Sequence, residues 1–220
     1  MRPDPARFPI RGVDVSRHQG EIDWAGVASE GWRFAYLKAS EGGDWRDPRF
    51  EANRQGARAA GLPWGAYHFY TFCRPVEDQV AWFLEVLGED PGDLPPVLDV
   101  EMGGNCATRP PPAELAEGVA RWTEAVEAAT GRPVMLYILP EQLERLVGDA
   151  PALRGQALWV RDSFAGPPAP VRGQPWVLWQ YHARAWVRGI RAFTDLNVFA
   201  GDEAAFEAWV GDAARGASPR

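Results

Sequence analysis

The sequence predicts a single α/β domain built as a closed barrel. Short apolar runs alternate with longer helical segments through most of the chain, eight such runs fit within 220 residues, and no linker or internal repeat divides them. Strands alternating with helices call for a parallel sheet, and eight strands in ~200 residues suggest closure into a barrel more than an open doubly wound sheet. The candidate strands run from Ile10 to Val15, Phe34 to Ala39, Trp64 to Tyr70, Val97 to Glu101, Val134 to Ile138, Ala157 to Val160, Val177 to Tyr181 and Phe193 to Leu196. The first five are separated by helical segments. Pro48 to Ala60 ends at Gly61. After Pro75, Val76, Val80, Phe83, Leu84 and Leu87 form one apolar stripe that stops at Gly88. Leu115, Val119, Trp122 and Val126 repeat the stripe before Gly131 and Pro133. Little room for helices remains between Ala157 and Leu196, so loops such as FAGPPAPVRGQP join the last strands, and Ala204 to Ala214 forms a closing helix. The expected organisation is an extension over residues 1–9, the barrel over 10–214 and a tail over 215–220.

Composition removes several functions. The net charge is −7 and no basic run of five or more occurs, which argues against a nucleic-acid partner. No stretch approaches the ~18 apolar residues of a membrane span, and the opening MRPDPARFPIRG lacks the apolar core of an export signal. Two cysteines are too few for a disulfide scaffold, and their spacing matches no zinc pattern. His18, His68 and His182 lie far apart without an HExxH, so neither a metal nor another cofactor is expected. The commonest serine hydrolase, P-loop and dinucleotide motifs are missing. Lys38 is the only lysine beside 22 arginines, in keeping with a genome that favours Arg codons.

The segment LPPVLDVEMGG is the most informative. Side chains alternate along a strand, so Asp99 and Glu101 share a face while Leu98 and Val100 share the other. If the apolar pair faces the helices, both acids point into the barrel at its open, carboxyl-terminal end. Two carboxyls close together in a partly dry site cannot both ionise freely, and the one held protonated suits a general acid. The spacing is met equally well by a loop-facing pair that binds an arginine. Asp14 takes the polar face of the first strand, and Asp195 stands at the end expected for the last. Barrel closure would bring these two together beside Asp99 and Glu101. Four carboxylates suit a hard cation such as Mg or Ca, or glycoside hydrolysis, whose oxocarbenium-like transition state needs negative charge. Aromatic residues favour sugar: Tyr67 and Tyr70 end the third strand, Tyr137 the fifth, Trp159 the sixth, and Trp179 and Tyr181 the seventh. For any one of these rings, core packing is the competing role.

The ordered set GVDVSRHQGEIDW, FAYLKASEGGDWRDPRF, GLPWGAYHFY, LPPVLDVE, TGRPVMLY, LWV, LWQY and TDLNVFAG resembles the lysozymes of glycoside hydrolase family 25, from about Ile10 to Gly211. The resemblance implies an irregular (β/α) TIM-like barrel with fewer outer helices than strands. It also implies a muramidase that cuts the β-1,4 bond between N-acetylmuramic acid and N-acetylglucosamine in peptidoglycan glycan strands. Glu101 matches the general acid, and Asp99 the acid that assists the substrate's acetamido group or an oxocarbenium ion. Asp14 and Asp195 match two further pocket carboxylates. Tyr67, Tyr137, Trp159 and Tyr181 are the candidate sugar contacts. Action on the cell wall, secreted or periplasmic, by a monomer is expected.

The family's usual QYSxxGxVxGIxGxVDLN is QYHARAWVRGIRAFTDLN here, with Ala185 and Ala192 in place of turn glycines and Thr194 in place of an apolar residue. His18 stands where many members have an aromatic residue, while Lys38 matches a position that is usually lysine. Cys73 and Cys106 follow the neighbouring third and fourth strands on one face, so a disulfide between them is geometrically reasonable. A catalytically inactive peptidoglycan-binding barrel is the alternative, and retention of all four acids speaks against it. A chitinase-like barrel fails on Val97, which stands where its motif needs an acid.

Overall fold

The computed structural model describes residues 5–140, 142, 154–162, 167–171 and 173–215. The ends of the terminal segments, 1–4 and 216–220, lie outside the described residues. Nine strands are present among those described: β1 (Arg11–Val15), β2 (Phe34–Glu41), β3 (Trp45–Arg46), β4 (Trp64–Phe69), β5 (Val97–Asp99), β6 (Met135–Ile138), β7 (Ala157–Arg161), β8 (Leu178–Ala185) and β9 (Thr194–Phe199). The α-helices among the described residues are α1 (Trp24–Ser29), α2 (Phe50–Ala59), α3 (Val76–Leu87), α4 (Pro112–Thr130) and α5 (Glu203–Arg215).

Eight strands close in the order β1-β9-β8-β7-β6-β5-β4-β2, and β2 pairs back onto β1. The short β3 hangs outside this ring, antiparallel on β2, and was not expected from the sequence. The sheet is not all parallel. β9 runs antiparallel to both β8 and β1, because only residues 186–193 join β8 to β9. That segment is shorter than the dozen or more residues a parallel crossover requires.

Alternation sorts the strand residues into two cores. Val13, Val15, Leu37, Leu98, Val100, Leu136, Val160 and Val198 face outward beneath the helices. Phe34, Tyr36, Val97, Met135, Trp159, Leu178 and Phe199 fill the lower barrel, where Phe206 and Trp209 of α5 complete the plug. The Phe199 ring centroid lies 5.4 Å from Phe206 and 5.2 Å from Trp209, so α5 closes the bottom, opposite the carboxyl ends of the parallel strands. Gly12 is required by this plug. A Cβ there would lie 2.3 Å from the Phe34 ring. Phe8, within the segment read as an extension, packs at 5.3 Å from Trp176.

Helices follow the apolar stripes, with one polar residue that the stripes do not explain. Gln79 is buried on α3 because its side chain accepts from the Thr71 amide at 2.8 Å and donates to the Thr71 and Arg74 carbonyls. His68 is buried between Ser40 and Gln79 and stacks on Trp122 at 5.5 Å. Burial pushes its pKa down to about 3, so it serves as a neutral core group.

Cys73, after β4, and Cys106, after β5, form a disulfide with their Cα atoms 6.4 Å apart. The bridge spans a sequence separation of 33, for which loop-closure entropy gives about 3–4 kcal/mol. A Cys73→Ser/Cys106→Ser double variant should therefore unfold at clearly lower denaturant, and the gap should vanish when both proteins are measured under reducing conditions. A midpoint equal to that of the oxidised wild type would contradict a stabilising bridge.

Candidate active site

Four carboxyl groups meet at the upper mouth of the barrel, each placed there by a different local rule. Asp14 lies near the end of β1, on the inward face left by Val13 and Val15. Asp99 ends β5, and Glu101 follows two residues later, beyond the strand that was expected to include it. Asp195 is the second residue of β9, not its end as the sequence suggested. It reaches the same mouth because β9 is inverted, and it pairs directly across from Asp14.

Two amides hold Asp14. Its Oδ2 accepts from Gln180 Nε2 at 3.0 Å and from Asn197 Nδ2 at 2.7 Å. Each amide is itself oriented by a ring donor: Tyr137 Oη donates to Gln180 Oε1 at 3.0 Å, and Trp159 Nε1 donates to Asn197 Oδ1 at 2.8 Å. With its oxygen so engaged, each amide must turn its NH₂ group toward Asp14.

Burial raises the pKa of all four acids, and repulsion from neighbouring acids adds to it for Asp99, Glu101 and Asp195. Asp14 is raised by burial, partly offset by the Asn197 and Gln180 hydrogen bonds. Asp99 stands well above the usual carboxylate range through burial and then the charge of Glu101. Its Oδ1 is buried without a hydrogen-bond partner among the described residues. Glu101 is raised by burial against the pull of Arg161 and Lys38, and 20% of its side chain remains exposed. Asp195 is pushed up to about 8 by burial and Asp14.

One cation opposes the whole group. Arg161, at the end of β7, lies 3.8 Å from Glu101 Oε2, and its charge lowers the pKa of each of the four acids. The sequence reading missed it, although a charged residue at the carboxyl end of a barrel strand was signal enough. Lys38 sits on the other side, ion-paired to Glu41 at 2.7 Å and 4.9 Å above the Phe69 ring. Asn105 was missed too. Its amide donates to the carbonyls of Tyr70 and Glu101 at 2.8 and 3.0 Å, while its oxygen accepts from Phe72 N and Cys106 N. It thereby ties the chain at Glu101 to the disulfide loops.

The expected sugar-facing rings divide. Tyr67 is half-buried, and the charges of Asp14, Asp99 and Asp195 act on its hydroxyl, so it belongs to the mouth. Tyr137 and Trp159 face inward but are buried, where they orient the amides. Tyr181 does not face the mouth: it packs with Trp179 at 5.7 Å in the layer beneath the helices, as the alternation from inward Gln180 demands. Tyr70 lies in that outer layer as well.

Comparison with known proteins bears on this site. The model for "Glycosyl hydrolases family 25" matches residues 13–190, a span that takes in Asp14, Asp99 and Glu101. The chain belongs to glycoside hydrolase family 25. Among relatives of this family 25 chain, YegX, an uncharacterized protein of Escherichia coli O157:H7, is 35% identical over 94% of this chain and 75% of its own length. Lysozyme M1 of Streptomyces globisporus is 33% identical over 89% of this chain and 69% of its own. The solved structure of a family 25 glycosyl hydrolase from Bacillus anthracis superposes with a TM-score of 0.84 at 32% identity, covering 94% of this chain and 96% of that one. The family 25 chain is thus a glycoside hydrolase of the lysozyme type, and its closed mixed barrel with few helices is the architecture of its structural neighbours. No helix among the described residues is long and apolar enough to cross a membrane.

The raised acids have a measurable consequence. A carboxyl whose pKa is raised by folding keeps a proton that the unfolded chain has already lost. The stability it contributes is therefore full below the ordinary carboxylate range and is lost as pH rises through the folded value. For Asp195 that window runs from about 4 to about 8. Asp195→Asn should gain stability over the wild type progressively as pH rises across it, read as a widening Tm difference. A difference that stays constant from pH 4.5 to 8.5 would show that Asp195 titrates normally.

Proposed function

We propose that this enzyme hydrolyses peptidoglycan at the β-1,4 bond between N-acetylmuramic acid and N-acetylglucosamine, with Glu101 as general acid and Asp99 assisting. The observation that carries the reading is the pair of acids at and just past the end of β5, Asp99 buried and Glu101 half-buried, both with raised pKa values in a glycoside hydrolase barrel. Lysozyme M1 supports the substrate class.

The two acids share a site in which one negative charge is tolerated more readily than two, so they act as a coupled pair. Glu101 is the member open to solvent, which selects it as the group that meets the glycosidic oxygen. Its proton passes to that oxygen as the bond to the sugar's C1 breaks. Water supplies the hydroxyl at C1, and its second proton restores Glu101. Asp99 lies behind, and its unpartnered Oδ1 is suited to accept a hydrogen bond from the acetamido N–H or to oppose the oxocarbenium charge. Asp14 and Asp195 supply the further negative potential, with Tyr67 against the bound sugar. The chemistry is complete with carboxyl groups and water and needs no cofactor. The enzyme acts as a monomer on wall material outside the cytoplasm.

Clearing of a peptidoglycan suspension, with mass analysis of the released fragments, tests this directly. Glu101→Gln and Asp99→Asn should each lower kcat by roughly 10²–10⁴-fold, while a chelator should leave the wild type unchanged. Full activity in Glu101→Gln would remove it from the acid's role. Fragments cut at the other glycosidic linkage would overturn the bond assignment.

A further inference from the structure

The rings that were expected at the rim are mostly buried, and the rings that are exposed there were not anticipated. Trp186 is 69% exposed and Phe193 44%, the largest exposures of big apolar side chains among the described residues. Their centroids lie 4.9 Å apart at an interplanar angle of 47°, and the Arg184 guanidinium covers Phe193 at 5.2 Å. Both belong to the segment that joins β8 to β9. On β9 the inward file runs Asp195, Asn197, Phe199, from mouth to plug, and alternation extends it one step upward to Phe193. Phe193 therefore stands at the mouth end of β9, two residues before Asp195 and on the face that alternation gives that pocket carboxylate.

This segment is held firmly. Gln19 Nε2 donates to the Phe193 carbonyl at 2.8 Å, Asp23 N to the Gly189 carbonyl at 2.9 Å, and Arg188 N to Glu30 Oε2 at 3.0 Å. Ile22 and Ile190 form a β-bridge between the same two loops. Gly189 has φ +90°, and a Cβ there would lie 2.2 Å from the Asp23 carbonyl, so the approach of the loops depends on glycine. Between them lies a groove of about 840 Å³ lined by Arg17, His18, Gln19 and Arg191. None of the four mouth carboxylates lines it.

We infer that Trp186 and Phe193 form a stacking platform for a sugar ring of the glycan strand outside the cleaved bond. The inference rests on the peptidoglycan reading above. The apolar face of a pyranose matches a fixed, solvent-exposed ring, and a platform ordered before binding loses little entropy when occupied. Two rings are too small an area for a stable protein partner, which needs about 1,000 Å² or more. Continuity with Asp195 makes the glycan strand the occupant. An acidic enzyme also draws little long-range help toward an anionic wall, so short-range contacts of this kind must supply its affinity.

The test compares long uncross-linked glycan strands with a tetrasaccharide that just spans the cleaved bond. Trp186→Ala and Phe193→Ala should each raise KM for the long strands roughly 3- to 10-fold with kcat unchanged. KM for the tetrasaccharide should stay level, and Trp186→Phe should restore most of the loss. Unchanged KM on long strands overturns the platform, as does an equal loss on both substrates. Self-association of the wild type that Trp186→Ala abolishes would reassign the rings to a second copy and also overturn it. Binding of long strands to Glu101→Gln, with and without Trp186→Ala, separates this inference from the one beneath it. Wild type that binds through Trp186 without cleaving leaves the platform standing and fells the muramidase reading; cleavage with indifferent variants does the reverse.

Discussion

The antiparallel pairing of β9 with β1 is the constraint on which the rest depends. It closes the barrel, sets Asp14 opposite Asp195, and brings Asn197 within reach of the Asp14 carboxylate. A parallel β9 would carry Asp195 to the plugged end among Phe34 and Phe206, where an acid has no partner and no access to solvent. The short β8–β9 connection therefore does more than save residues. It turns the early part of a strand toward the end of the barrel where the other seven barrel strands finish.

That closure forces acids into a dry mouth, which is costly unless each charge is managed. Asp14 is managed by two amides whose orientation comes from the buried donors of Tyr137 and Trp159. Asp99, Glu101 and Asp195 are managed less completely, by the charge of Arg161 and, for Asp99 and Glu101, that of Lys38. The remaining strain is relieved by retained protons. Proton retention is what a general acid requires, so the incomplete compensation at the mouth and the chemistry proposed there have one origin. The apolar plug below allows this, because Phe199, Phe206 and Trp209 fill the lower barrel with ring-to-ring contacts.

The fold was legible wherever a single periodicity decided the outcome. The apolar runs place all eight barrel strands, and the α3 and α4 stripes place the helices between them, because burial of one face is written in the residues themselves. Three of the four acids were legible for the same reason: alternation around Val13, Val15, Leu98 and Val100 leaves Asp14, Asp99 and Glu101 the inward face, while Asp195 was read only from its place at the end of the last apolar run. Strand direction was not legible, since the pattern of Thr194–Phe199 is the same whichever way it runs, and only the length of the connection reveals its sense. Nor was the role of a ring. Tyr137, Trp159 and Tyr181 all read from the sequence as rings at strand ends, yet one register step separates Tyr181 from the inward file. Gln180, Asn197 and Asn105 escaped because an amide's value depends on what its two ends meet, which is a property of the assembled barrel.

Glu101 shows how these separate devices converge. It lies past the end of β5, where ladder hydrogen bonds no longer fix the chain, and a proton donor there must nonetheless hold its position. Asn105 replaces the missing ladder. Its amide binds the Glu101 carbonyl and the Tyr70 carbonyl together, and its oxygen binds the amides of Phe72 and Cys106, one on each side of the Cys73–Cys106 bridge. The bridge therefore acts on the site through Asn105 as well as on the unfolded chain. A residue outside the sheet can then be partly exposed, as a donor to a bulky polymer must be, and still be anchored to two strands. Asp99, inside the sheet, needs no such anchor and can be enclosed. The difference in exposure between two acids two residues apart thus follows from where the strand stops, and that difference assigns them different tasks.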